Sequence, residues 1–109
     1  MVVIEVRNAE LMETMAKEVK RLDIANGAIV SLIGAVDSFT LSTMLKQDAT
    51  EDIITDYSLP AEMTGTGEIT NGTVHVHAVM AVEGDQAVAG HLHRAEIGTF
   101  FARAYVIPC

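Results

Sequence analysis

The chain has 109 residues, half of them apolar and a fifth charged, and its fifteen Asp and Glu against seven Lys and Arg leave a formal charge of −8. That charge repels phosphate backbones and anionic membranes, and the few cations are dispersed; only Lys17, Lys20 and Arg21 cluster, on a predicted helix whose bland reading is a solvated face. A single cysteine, Cys109, excludes an intrachain disulfide.

The length and even composition predict one domain over residues 1–109. So apolar a chain of this size leaves much surface exposed, which predicts a subunit contact. The N-terminus lacks a basic region followed by a long apolar core, and the longest apolar stretch, Ala28 to Val36, is far below the roughly 20 residues of a membrane helix. The expectation is a soluble cytoplasmic protein with no membrane partner.

In chain order, Val2 to Val6 reads as a short strand, after which Asn8 is placed to cap a helix. Leu11, Met15, Val19 and Leu22 recur there at helical spacing, with Met12 and Met15 as core filler and Gly27 as the left-handed exit. "AIVSLIGAV" reads as a buried strand, and "SFTLSTML", where Phe39, Leu41 and Thr43 alternate with Ser38, Thr40 and Ser42, as its neighbour. "KQDATEDIITDYS" is polar and acidic, an exposed excursion that Leu59-Pro60 closes.

Asn71-Gly72 is a strong hairpin signal between "AEMTGTGEIT" and "TVHVHAVMAV", "EGDQ" makes a second turn into "AVAGHLH", and "EIGTFFARAYVI" closes the chain as a long strand. One helix with six or so strands is an α+β fold: a mainly antiparallel sheet with a single helix, from the N-terminal half, packed on one face.

All four histidines, His75, His77, His91 and His93, lie in one window of two His-x-His pairs. Side chains two apart on a strand share a face, so His75 and His77 project together and leave Val74 and Val76 to the other side. If the strand after "EGDQ" folds back, His91 joins them, and three imidazoles can hold zinc or another divalent transition metal with a fourth position open. The other reading is a set of hydrogen-bonded structural imidazoles. His93 is open between a fourth ligand, a supporting partner and an exposed residue beside Arg94.

Two carboxylates sit on the hairpin partner of the histidine strand. Glu62, in the otherwise apolar "LPAEMTG", is the candidate catalytic residue, as a general base or as the group that orients a ligand imidazole. Glu68, Glu83 and Asp85 read as exposed strand-end carboxylates. Gly65, Gly67 and Gly90 permit bulges or close backbone approach, and no phosphate loop or serine-histidine-acid signature is present.

The run from Gly67 to His77, glycine and histidine spaced as G-x-I-x-x-G-x-x-H-x-H, the "AGHL" at Ala89 to Leu92 and the Gly34 region resemble the plants-and-prokaryotes-conserved (PPC or PCC) domain, also described as DNA-binding, over nearly the whole chain. The resemblance implies a homotrimer with an antiparallel sheet and, in stand-alone prokaryotic members, a zinc ion on His75, His77 and His91. It puts the family's acidic position on Glu62. Two departures stand out: His93 replaces a residue usually apolar, and Asn8 to Glu10 replaces the glycine-acid pair common before the first helix. In plants the domain follows minor-groove-binding segments, and no Arg-Gly-Arg-Pro segment occurs here.

The reading is thus a small homotrimeric metal-binding protein, whose open three-histidine site would support hydrolytic chemistry if it is an enzyme at all. The alternatives are a DNA-associated regulatory module, which the net charge disfavours, and a structural or scaffolding trimer without metal.

Overall fold

The computed structural model describes residues 1–109 as one antiparallel sheet with a single helix. The elements are β1 (Val2–Val6), β2 (Ala9–Glu10), α1 (Leu11–Arg21), β3 (Gly27–Val36), β4 (Ser38–Leu45), β5 (Asp48–Tyr57), β6 (Ala61–Thr70), β7 (Thr73–Val82), β8 (Gln86–Ile97) and β9 (Ala102–Pro108). The sheet order is β1-β9-β3-β6-β7-β8-β4-β5, with β2 pairing β8 beside the helix. This is the expected α+β arrangement, with more strands than anticipated.

The helix buries Leu11, Met15 and Val19 of the predicted stripe on one face of the sheet, while Leu22, its fourth member, is the C-terminal cap residue and half-buried. Each such side chain contributes about 1.5–3 kcal/mol. They belong to one buried cluster with Val76, Ala78, Met80 and Leu92 from β7 and β8 and Leu32, Met63 and Val106 from the strands beyond. The opposite sheet face carries no layer, so the molecule is a slab of 37 × 35 × 18 Å.

Both predicted helix ends move. Asn8 does not cap; it takes a left-handed φ of 51° between β1 and β2. Glu10 caps instead, its carboxylate accepting from the N–H groups of Met12 (3.0 Å), Glu13 (2.8 Å) and Ala95 (2.8 Å). A longer side chain curling back from β2 reaches the orphan donors while tying the helix to β8. At the C-terminus Asp23, φ 56°, supplies the left-handed residue. Asp23 N–H reaches Lys20 O at 3.1 Å and Ile24 N–H reaches Val19 O at 2.9 Å, the two bonds of a Schellman motif. Gly27 instead begins β3.

The acidic excursion is also corrected: Asp48–Tyr57 is a full strand, β5, paired to β4 alone. An edge strand exposed on both faces has no alternation to reveal it, and its charges discourage extension of the backbone ladder by an unrelated strand. The closing segment divides, Glu96 and Ile97 ending β8 and Ala102–Pro108 forming β9. Asn71 (φ 50°) and Gly72 (φ 79°) make the two-residue turn expected between β6 and β7. The structure has no helix long and apolar enough to cross a membrane.

Candidate metal centre

The β6–β7–β8 meander places the imidazoles on the face without a helix. On β7, Val76, Ala78 and Met80 are buried while His77, Val79 and Ala81 are exposed, and His75 is half-buried on that same open side. His77 pairs directly with His91 on β8 and with Thr66 on β6, and His75 faces Glu68. The strand period and two tight turns therefore suffice to bring His75, His77 and His91 together.

Close strand approach brackets the cluster. A Cβ on Gly65 would lie 2.7 Å from the His77 carbonyl oxygen, and Cβ atoms on Gly67 and Gly90 would collide with the carbonyls of His75 and Ser42. Only glycine lets the neighbours lie so near the histidine strands. On the β4 side, Thr40 pairs with Arg94 and Leu41 with Leu92, which leaves His93 as the extra residue of a bulge. The His93 ring lies 4.8 Å from that of His91, and its Nε2 shares a 2.7 Å hydrogen bond with Ser42 Oγ. His93 is thus anchored to β4 beside the three-residue cluster.

One ring nitrogen from each of His75, His77 and His91 lies within 4.8 Å of the others. His75 Nε2 and His91 Nδ1 share a 3.0 Å hydrogen bond, a separation that also lies near the about 3.3 Å that a tetrahedral ion with bonds of about 2.0–2.1 Å imposes on two nitrogen ligands. Burial, then the charges of His75, His93 and His77, hold the His91 pKa below its usual value, while Asp52 pulls it the other way. A depressed pKa keeps His91 neutral, the form that ligates. The donor set fits a borderline-soft divalent ion.

Glu62 is not brought to the imidazoles. It pairs with Ala81, four residues along β6 from Thr66, or about 13 Å at strand rise, and lines a different depression. Glu68 is the carboxylate at the cluster, its Oε1 3.9 Å from His75 Nδ1 across the β6–β7 pair. Sequence reasoning missed Asp52 of β5, which shares with His77 and His91 the wall of a cavity of about 800 Å³. No local signal marks Asp52, because its approach depends on β5 being a strand and on β4 lying against β8.

The sequence model of the Plants and Prokaryotes Conserved (PCC) domain matches residues 1–107. Among solved structures, a metal-containing protein from Archaeoglobus fulgidus superposes with a TM-score of 0.82 at 21% identity, over 98% of this chain and 77% of that one. A PPC protein from Pyrococcus horikoshii gives 0.81 at 17% identity, over 99% and 79%. A candidate DNA-binding protein from Ralstonia eutropha JMP134 gives 0.83 at 18%, over 98% and 76%. At such identities the likeness is one of fold. No curated protein matches the chain.

Proposed function

The chain belongs to the Plants and Prokaryotes Conserved domain family, and on that premise we propose that it is a small cytoplasmic homotrimeric protein that holds one divalent metal ion, zinc in the first place, on His75, His77 and His91. The observation that carries the reading is the convergence of three imidazoles, one ligand atom each, on the open face of the sheet. The metal-containing relative from Archaeoglobus supports it. A bound ion would supply Lewis acidity toward an oxygen ligand. Glu68 would orient His75, as carboxylates behind ligand imidazoles do.

The trimer is supported by apolar surface at both ends of the open face: Val3 and Ile107 at the β1–β9 end, Met44 and Ile54 at the β4–β5 end, all exposed. Two different patches at opposite edges suit a head-to-tail contact, which closes into a ring when the rotation permits.

The test is the metal content of protein purified without a histidine tag or chelating resin, by inductively coupled plasma mass spectrometry. The expected result is about one ion per chain, lost in His77→Ala with the oligomer retained; a full complement in that variant removes the site.

A second reading is favoured by the candidate DNA-binding relative: a regulatory module acting on duplex DNA. The charge of −8 opposes it. It demands a gel shift at low salt that weakens as salt rises, and a flat titration ends it.

A further inference from the structure

The cavity beside His77 and His91 does not end at the histidines. Its wall includes Thr64 and Val79, a directly paired couple on β6 and β7, and the same two residues line a second, larger depression of about 1110 Å³ toward Gly34 and Phe101. The two depressions adjoin at that pair. At the histidine end Ser42, Thr43, Thr66 and Asp52 stand beside the imidazoles, together with Met44, Ala49 and Ala89. Beyond Thr64 larger apolar side chains line it: Val79 is 43% exposed, Ile33 54% and Phe100 60%, with Val82 and Phe101 beside them. Neither part is lined by a lysine or an arginine, and the far end carries Glu62 and Asp37. Asp37 Oδ2 already accepts the Thr99 N–H at 3.0 Å.

A pocket whose hydroxyls cluster at the ligating imidazoles, continued by larger apolar side chains, takes a ligand with two unlike halves. We propose that this groove binds a small amphipathic molecule, its oxygen-bearing head on the metal among the threonine hydroxyls and its apolar tail along Val79 and Ile33 toward Phe100. At the far end Glu62 and Asp37 line the wall while the guanidinium groups of Arg7 and Arg103 stack on Phe101 at 4.9 and 4.3 Å, so charge there does not select the end of the tail. From His77 to the level of Glu62 the trough runs about 13 Å, four residues of strand, so the tail is a medium-length alkyl chain or an aryl-alkyl group. Glu62 then faces the end of the tail rather than the metal. The inference rests on the metal-binding reading and adds to it the class of ligand.

The test is calorimetric titration of the zinc-loaded protein with two probes of equal chelating power and unequal tail, acetohydroxamate and octanohydroxamate. Partial burial of each of the six extra methylenes is worth about a factor of two, so the longer probe should bind at least about 30-fold more tightly. Phe100→Asp, at the far end of the trough, should cut that preference below about 5-fold while metal content and acetohydroxamate affinity stay unchanged. Ile33→Ser, a milder change at an exposed position, should reduce it in the same direction. Equal affinities for the two probes on protein that carries its metal would overturn the groove and leave the metal site standing. Flat affinities together with dissociation of the oligomer in Phe100→Asp would overturn it by assigning the trough to a subunit contact. Loss of both with no metal bound would overturn the metal reading itself, and the metal analysis identifies that case.

Discussion

The two faces of β7 differ in what they are selected to do. Val76, Ala78 and Met80 point into the layer under α1 and are at most 3% exposed, whereas His75, His77 and Val79 point to the bare face one residue out of phase. The first set is held by packing and would be replaced only by side chains of like volume. The second set packs against little, so its chemistry is free of the demands of the core. A strand buried on one face separates stability from function by a shift of a single residue.

The largest break of that separation should come from the covered face. Met80→Ala is expected to cost about 2–5 kcal/mol in urea denaturation, through lost burial and a residual cavity, while folded protein keeps its metal. Glu10→Ala should follow at about 1–2 kcal/mol, because it removes the helix cap and strands the Ala95 N–H on β8. Its effect on metal affinity should be nil, since the cap lies on the helix side.

On the open face the order reverses. His77→Ala should change the stability of metal-free protein by less than about 0.5 kcal/mol, as exposed substitutions do, yet abolish stoichiometric metal. A melt of metal-loaded against metal-free protein sharpens the contrast: added metal should raise the transition temperature of the wild type and leave that of His77→Ala unmoved.

The smallest effect concerns pH. His91 has a folded pKa below its usual 6.5, so the unfolded chain binds more protons in that range and stability rises with pH. In metal-free protein the His91 contribution is therefore present above about 6.5 and is lost as pH falls below it. Denaturation midpoints at several pH values should show a shallow decline over that window, diminished in His91→Asn. A decline equal in the variant would assign the slope to other groups.

Much of this organisation is written in local pattern. The His-x-His spacing puts His75 and His77 on one face, Asn71-Gly72 sets the register of β6 against β7, and "EGDQ" returns β8 so that His91 meets His77. Each of these follows from a period of two and a short turn. The stripe of Leu11, Met15 and Val19 is equally local.

The errors fall where local pattern carries no information. β5 is exposed on both faces, so no alternation distinguishes it from a loop, and Asp52 was invisible with it. Asn8 has the better capping chemistry by residue type, but Glu10 alone meets the helix N–H groups and the Ala95 N–H at once. Glu62 suits a base by its apolar surroundings, and pair register sets it four residues from the imidazoles.

By itself, then, the sequence determined the meander and the set of histidines, because a turn of two or three residues leaves its strands one register and each strand two faces. Only the tertiary structure decided what lies beside them: β4 against β8, which anchors His93 on Ser42, β5 beyond it, which brings Asp52, and a face with no helix, which leaves the trough open. Those neighbours come from strands up to about fifty residues away; burial of the opposite face under α1 sets β4 against β8, and edge pairing to β4 then brings β5, a cooperative choice that no single stretch encodes.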